Sequence, residues 1–208
     1  MARERSQWQE ITSANPAHSA WYIERFRTMA EQGHDLDGEA RLVDAMVGRR
    51  ARILDAGCGP GRVGGYLHGR GHDVVGVDVD PELIAAAEQD HPGPTWLVGD
   101  LADLADDDTD LSSRGITEGF DLVVCAGNVM TFLAPSTRRD VLLGFRRHLR
   151  EGGRVVLGFG LGRGYELADL DADVEAAGLR LSLRLGTWDV RPFDDDSDFA
   201  VSILVAAS

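Results

Sequence analysis

The chain has 208 residues, 43% of them apolar, which is enough for one globular domain with a full core. Its formal net charge of −14 would repel a phosphate backbone, so we expect no nucleic-acid partner. All 21 basic residues are arginines, and the lack of lysine excludes a P-loop lysine and pyridoxal Schiff-base chemistry.

The sequence has no signal for export or membrane insertion. No stretch has the length and apolarity of a membrane span or a secretion signal, so we expect a cytoplasmic monomer or homodimer with no membrane partner. The two cysteines, Cys58 and Cys125, are too few for a metal cluster or a disulfide framework. We therefore expect buried or site-lining thiols and no metal site.

Residues 1–48 have the pattern of two amphipathic helices. The first carries apolar side chains that we assign to one face, namely Trp21, Tyr22, Phe26 and Met29. The second carries a similar set, namely Leu42, Val43, Met46 and Val47. We expect this pair to form a helical lid on the domain that residues 49–208 make.

From residue 51 onward, short apolar runs alternate with helical patterns. This alternation predicts an α/β fold, doubly wound, with a mostly parallel sheet and helices on both faces. Two runs near the C-terminus, 181–185 and 199–205, alternate apolar and polar residues and predict paired edge strands, the last one antiparallel. The seven predicted strands are 51–56, 73–78, 95–98, 120–126, 154–159, 181–185 and 199–205. The predicted helices are 61–69, 81–90, 136–149 and 167–177, and the acidic segment 103–119 is predicted to be a surface loop with room for one short helical turn.

The first predicted strand ends in a glycine-rich turn, Asp55-Ala-Gly-Cys-Gly-Pro-Gly61, and the second strand ends in Asp78. A turn of this kind exposes backbone amides at a helix start, and a carboxylate at the end of the next strand can accept both hydroxyls of a ribose. The pattern predicts a nucleoside-binding site. A dinucleotide fingerprint would need its third glycine at position 62, where this chain has Arg62, so the mismatch disfavours NAD.

These residues resemble the class I S-adenosylmethionine-dependent methyltransferases, whose first motif fits residues 55–61 at every fixed position. The similarity continues in order through residues 74–78, 99–101, 120–125 and 149–154. The resemblance implies a Rossmann-like domain, with S-adenosyl-L-methionine as cofactor and S-adenosyl-L-homocysteine as product. A nucleotide-cofactor oxidoreductase and a non-catalytic binding module remain alternatives.

The resemblance also implies roles for individual residues. Asp78 would hold the ribose, Val79 would pack on the adenine and Asp100 would accept the adenine amine, although Asp100 could instead cap a short helix. Asp55 would orient the turn or meet the ammonium group, or would only tie down loop amides. The full expected cofactor set is Tyr22, Arg25, Asp55, Gly57, Cys58, Gly59, Gly61, Arg62, Asp78, Val79, Asp100, Leu101, Cys125, Ala126 and Asn128.

The segment after the fourth strand, residues 126–130, lacks the Asn/Asp-Pro-Pro-aromatic run of methyltransferases that act on base or glutamine amines. We therefore expect neither DNA adenine nor glutamine methylation. The leading hypothesis is in-line methyl transfer to a small-molecule acceptor, with a protein acceptor as an alternative. The identity of the acceptor, and whether O, N, S or C is methylated, are open, and a catalytic base is not strictly required. Candidate catalytic residues are Asn128, Tyr22 and His18. The expected substrate pocket comprises Trp21, Phe159, Arg163, Tyr165 and Trp188.

Overall fold

The computed structural model describes residues 3–106 and 111–207. Its centre is a seven-stranded sheet with the order β3-β2-β1-β4-β5-β7-β6. All strand pairs are parallel except those that β7 makes with β5 and β6, which confirms the predicted mostly parallel sheet with an antiparallel last strand. The strands are β1 (Arg52–Ala56), β2 (Asp73–Asp78), β3 (Thr95–Val98), β4 (Phe120–Cys125), β5 (Leu149–Gly160), β6 (Leu179–Leu185) and β7 (Phe199–Ala206).

The order of the sheet reverses at β1, which pairs with β2 on one side and with β4 on the other. Leu54 lies opposite Val75 of β2 and Val123 of β4. In a doubly wound sheet, ligands bind at such a switch point, beyond the carboxyl ends of the strands. The topology therefore places a ligand site above the ends of β1, β2 and β4.

Eight α-helices surround the sheet in the described part of the chain. Because alternate side chains of each strand point to opposite faces, two apolar cores form. One lies between the sheet and α7 and α8, and the other lies between the sheet and α3 and α4. The helices are α1 (Gln7–Ala14), α2 (His18–Glu31), α3 (Gly38–Met46), α4 (Arg62–Gly69), α5 (Pro81–Asp90), α6 (Val129–Phe132), α7 (Arg138–His148) and α8 (Leu167–Ala176). In the ranges described, every helix is too short or too polar to cross a bilayer.

The N-terminal segment contains three helices, whereas the sequence predicted two. The additional helix is α1, which begins with a capping box: Ser6 Oγ accepts from the Gln9 N–H, and the Gln9 side chain accepts from the Ser6 N–H. None of the residues of α1 is fully buried. Its apolar pattern was therefore too weak to predict it, although the capping signature was present.

The prediction of a surface loop at 103–119 was wrong for its apolar residues. Short 3-10 helices occupy Leu101–Ala105 and Leu111–Arg114, and both Leu104 and Leu111 are buried in the same core as α7. Residues 107–110 of the predicted loop lie outside the described residues. Leu104 and Leu111 each pack into this core beside the sheet. The acidic composition of the segment as a whole did not indicate that these two side chains are buried.

Candidate functional site

A cavity of about 550 Å³ lies at the carboxyl ends of β1, β2 and β4, and residues of α2 and of the N-terminal segment line it from the opposite side. The structure brings 13 of the 15 expected cofactor residues to its wall, namely Tyr22, Arg25, Asp55, Gly57, Cys58, Gly59, Arg62, Asp78, Val79, Asp100, Leu101, Ala126 and Asn128. Residues far apart in sequence thus meet at the switch point of the sheet.

The glycine-rich turn follows a path that side chains would obstruct. Gly57 has φ of +77°, and a Cβ placed on it would lie 2.5 Å from a methyl group of Val129. Gly61 has φ of +85° and faces Ala87 and Trp96 of the α5–β3 layer, so it shapes the turn without lining the cavity. Both positions need glycine, one for its contact with α6 and the other for the packing of α4.

Asp55, at the end of β1, is only 2% exposed. Its Oδ2 accepts from the Gly64 N–H at 2.8 Å, which ties the strand end to the first turn of α4. Desolvation raises the pKa of this carboxyl to about 7, although the hydrogen bond from Gly64 acts in the opposite direction. The contact seen is the loop-anchoring one, and the interaction with a bound ammonium group stays a prediction.

Asp78, at the end of β2, joins the glycine-rich turn to α5. Its Oδ2 accepts from the Gly59 N–H at 2.9 Å, and its Oδ1 accepts from the Asp80 N–H at 3.0 Å. Burial raises the pKa of this carboxyl to about 6, because desolvation outweighs the two backbone donors. A carboxylate has about four lone-pair sites. Asp78 therefore retains accepting capacity toward the cavity, where a pair of hydroxyls would bind.

Asp100 and Leu101 form the cavity wall after β3. Asp100 Oδ1 accepts from the Ala102 N–H at 3.0 Å, so the residue does cap the 3-10 helix that follows. Its Oδ2 lies 3.7 Å from a guanidinium nitrogen of Arg3. The N–H of Leu101, at the first position of that helix, has no partner within the helix. An acceptor and a donor therefore lie side by side, as the edge of an adenine requires.

Arg62 lies on the cavity wall but is already paired. Its guanidinium donates to both carboxylate oxygens of Glu39 at 2.8 Å and also to the carbonyl oxygen of Leu36. Such a bidentate pair fixes α4 against α3. Tyr22 of α2 also faces this side, with its ring 3.9 Å from the position of a Cβ on Gly59. Helix α2 thus comes close to the glycine-rich turn.

Asn128 follows β4 in the left-handed region, with φ of +66°. Its Oδ1 accepts from the Gly160 N–H at 2.8 Å, which connects the ends of β4 and β5. Because Gly160 N–H can only donate, the amide oxygen of Asn128 faces it and the amide NH₂ is the group that remains for the cavity. Arg163, which follows β5, lines the cavity as expected.

Three of the residues expected in the substrate pocket lie elsewhere, because strand alternation or packing turns them away from the cavity. Phe159 and Tyr165 are buried in the core, stacked with ring centroids 5.6 Å apart. The Tyr165 hydroxyl donates to Asp173 at 2.8 Å, and the Arg138 guanidinium lies 4.2 Å from its ring centroid. Trp188 packs over Gly158, against the core beside α3 and α4.

Three further expected residues also lie off the cavity. Trp21 is 55% exposed, since it lies about 100° around α2 from Tyr22 and therefore on a different face. His18 packs between Trp8 and Trp21, with ring centroids 5.1 and 5.3 Å away. Cys125 is buried in the core beneath the end of β4. None of the three lines the cavity.

The structure adds lining residues that the sequence did not point to, notably Ser6, Trp8 and Phe132. Trp8 belongs to the unpredicted helix α1, and its ring meets those of Tyr22 and Phe132 edge-on at 5.2 and 6.2 Å. The capping box around Ser6 could have predicted the helix. Nothing in the sequence indicated that its tryptophan reaches the cavity.

Comparison with known proteins agrees with this geometry. A family model described as a methyltransferase domain matches residues 53–153. A crystal structure of a TehB-like S-adenosylmethionine-dependent methyltransferase from Corynebacterium glutamicum is 48% identical, with a TM-score of 0.83, and the match covers 92% of this chain and 100% of that one. The chain belongs to the S-adenosylmethionine-dependent methyltransferases. This membership removes the nucleotide-cofactor oxidoreductase alternative.

Curated relatives of this methyltransferase are more distant. Magnesium-protoporphyrin O-methyltransferase of Rhodobacter capsulatus is 31% identical over 150 residues, which is 68% of this chain and 59% of that protein. Malonyl-(acyl-carrier protein) O-methyltransferase of Salmonella typhimurium is 30% identical over 125 residues, which is 60% of this chain and 44% of that protein. The chain thus spans about half the length of these two curated relatives.

The cavity fits the cofactor of this methyltransferase family by its set of donors and acceptors. S-adenosylmethionine presents an amine, ribose hydroxyls, an ammonium and a sulfonium, all of which favour acceptors or anions. Asp55, Asp78 and Asp100 supply three carboxylates on one wall. The N–H groups of Gly57, Cys58 and Gly59 already donate to Val77 O and Asp78 Oδ2. The first-turn N–H groups of α4, at Arg62 and Val63, and the N–H of Leu101 are therefore the backbone donors left for the cofactor's carboxylate and adenine ring.

Proposed function

We propose that this protein transfers a methyl group from S-adenosyl-L-methionine to a small-molecule acceptor. The observation that carries the proposal is the position of Asp78. Its buried carboxylate lies on the cavity wall and is bonded to the glycine-rich turn through Gly59. When bound, the cofactor supplies a methyl group that its sulfonium has already activated.

The chain's own residues would bind and orient the two reactants. Asp78 would accept hydrogen bonds from the ribose, while Asp100 and the Leu101 N–H would read the edge of the adenine. The first-turn N–H groups of α4, at Arg62 and Val63, would hold the carboxylate of the cofactor, with Tyr22 and Arg25 as further candidates for that group. Asn128 lies where the acceptor would enter, beside the end of β5.

A small acceptor is favoured by how the cavity is covered. Trp8, Tyr22 and Phe26 line it from the lid side and leave a volume of about 550 Å³, within the usual range of small-molecule sites. The net charge of −14 disfavours a nucleic-acid substrate. We extend the proposal to a cytoplasmic protein, monomeric or homodimeric, in which residues 1–48 act as lid and residues 49–208 as cofactor domain.

Calorimetry with S-adenosylhomocysteine tests the cofactor site. Asp78→Ala removes acceptors of the two ribose hydroxyls, so we expect affinity to fall by about 1.5–3 kcal/mol, or roughly 10- to 150-fold. Asp195→Ala, in the exposed acidic run 194–196, is the matched control and should bind as the unmodified protein does. Unchanged affinity in Asp78→Ala would show that the cofactor site is misassigned.

Turnover is the second test. The protein, S-adenosylmethionine and a broad set of small metabolites are incubated together, and formation of S-adenosylhomocysteine is measured. Production that depends on one acceptor class, and that is lost in Asp78→Ala, is the expected result. Tight binding of cofactor without turnover on any acceptor would instead support a non-catalytic binding module.

A further inference from the structure

Arg163 is a cation on the cavity wall that lacks an acidic partner. The chain has 35 acidic and 21 basic residues, and about half of the arginines pair with a carboxylate. Arg62 of the same cavity is paired with Glu39. Across residues 3–106 and 111–207, no carboxylate forms an ion pair with Arg163. Its side chain instead lies over Gly160, with Nε 2.8 Å from the position of a Cβ there.

Asn128 contributes a second donor close to Arg163. Both side chains lie against Gly160: Asn128 through its bonded Oδ1, and Arg163 through its Nε. The groups that remain to face the cavity are the amide NH₂ and the guanidinium N–H groups, all of them donors. The wall beside them is apolar, formed by Val129, Phe132 and Leu133 of α6 and the residue after it.

The acidic residues of the cavity are committed to other partners. Asp55, Asp78 and Asp100 each accept a backbone N–H, and Glu39 and Asp35 each pair with an arginine. None of these carboxylates lies within ion-pair distance of Arg163. The complement of an unpaired guanidinium and an amide NH₂ beside an apolar wall is an anionic group on an apolar body.

Apart from its carboxylates, which we assign to the cofactor or which pair with arginines, the cavity offers no ordinary base for a neutral nucleophile. The chain has no lysine, and no histidine is among the described residues that line the cavity. Desolvation raises the pKa of the Tyr22 phenol, so that group stays protonated at neutral pH. A nucleophile that is already ionised at neutral pH needs no base, and a carboxylate meets that condition.

We propose that Arg163 and Asn128 form a carboxylate-binding subsite, and that the methyl acceptor is a small organic acid whose apolar part packs against Val129 and Phe132. This inference rests on the proposed methyltransferase function. Methylation of the bound carboxylate would give a methyl ester: an oxygen lone pair forms the O–C bond while the C–S bond breaks with its electron pair going to sulfur. No proton is transferred.

Binding measurements on the complex with S-adenosylhomocysteine test the subsite. The probes are benzoate, phenylacetate and hexanoate, compared with benzamide, phenylacetamide and inorganic phosphate, and binding is followed by ligand-observed NMR and calorimetry. We expect the carboxylates to bind at least tenfold more tightly than the amides or phosphate. Equal binding of the amides, equal binding of phosphate, or no binding of any carboxylate would overturn the proposal.

Single substitutions test whether Arg163 and Asn128 bind the carboxylate. Arg163→Gln should weaken carboxylate binding at least tenfold and leave the affinity for S-adenosylhomocysteine within about twofold. Asn128→Asp keeps an oxygen that accepts from the Gly160 N–H but replaces the amide NH₂ donor with an anion. This variant should therefore also weaken carboxylate binding. Arg180→Gln, at an exposed position on β6, is the matched control and should change neither affinity. Carboxylate binding that is unaffected in Arg163→Gln contradicts the subsite.

The two proposals fail in different ways. If the unmodified protein does not bind S-adenosylhomocysteine, the proposed function fails. If it binds that product and turns over a neutral amine or alcohol, while carboxylates neither bind nor react, the function stands and only the carboxylate subsite is wrong.

Discussion

The lid is attached through Asp80 to the connection between β2 and α5, which makes Ser19 a sensitive position. Asp80 is 8% exposed, and its Oδ2 accepts from Ser19 Oγ at 2.5 Å and from Trp8 Nε1 at 2.8 Å. Its Oδ1 caps α5 through the Glu82 N–H, and its own N–H donates to Asp78. One carboxylate thus contacts both α1 and α2, two residues along the chain from Asp78, the acid that we assign to the ribose.

Ser19→Ala removes one donor from this buried carboxylate. Ser19 is itself 3% exposed, so water has little access to replace the hydroxyl. A hydrogen bond to a charged group contributes about 1.5–3 kcal/mol, and alanine regains roughly 0.5 kcal/mol in helix propensity. We expect the free energy of unfolding to fall by about 1–2.5 kcal/mol, which for a chain of this size lowers Tm by roughly 2–10 °C.

The assay compares thermal unfolding and S-adenosylhomocysteine affinity in Ser19→Ala and Arg27→Ala. Arg27 of α2 also contacts α5, through a bidentate contact with Asp90 at 2.9 and 3.0 Å, but this pair is exposed and does not contact Asp78. We expect Ser19→Ala to lose both stability and cofactor affinity, and Arg27→Ala to resemble the unmodified protein. Equal losses in the two variants, or none in Ser19→Ala, would refute the role of Asp80.

Three further predictions test the site and the core. Gly57→Ala should abolish cofactor binding, because its Cβ would meet Val129 at 2.5 Å, whereas Gly127→Ala, with a similar positive φ and nothing within 4 Å, should cost far less; calorimetry compares the two. In the unfolded chain the Asp55 carboxyl ionises near pH 4, whereas in the folded chain it keeps its proton up to about pH 7. The free energy of unfolding therefore falls as pH rises from about 4 to 7, because ionisation favours the unfolded state over this range. Asp55→Asn should therefore raise the free energy of unfolding at pH 8 by up to about 4 kcal/mol and leave it little changed at pH 4, measured by urea unfolding. Phe159→Ala should lower the free energy of unfolding by about 3–5 kcal/mol, because Phe159 is a core residue. If the variant stays stable and only acceptor binding is impaired, Phe159 belongs to the substrate pocket, as the sequence predicted.

The strands and the cofactor half of the site were predictable because their signals are local. β2, α5 and β3 have the predicted bounds: apolar runs mark the two strands, and Asp80 and Pro81 mark the start of the helix between them. The glycine-rich turn and Asp78 lie within two neighbouring strand ends, which a parallel sheet necessarily brings together. Chain spacing alone therefore located them.

The lid and the acceptor half were not predictable in the same way. Trp8 reaches the cavity because Asp80, 72 residues away, accepts from its ring N–H. Phe159 was expected at the end of β5, but the strand continues to Gly160, and Phe159 lies on the core-facing side with Val155 and Leu157. A shift of one residue along a strand reverses the side chain's direction, and sequence-based boundaries are not that accurate.

This difference determines where acceptor specificity is encoded. The cofactor is held by strand ends and backbone amides, whose geometry follows from the fold. The acceptor wall combines Trp8 and Tyr22 of the lid, Phe132 of α6 and Arg163 after β5, four segments whose side chains meet only in the folded chain. Their identities can change without altering the glycine-rich turn or Asp78. A change at Arg163 should therefore alter which acceptor is methylated while the cofactor binds as before.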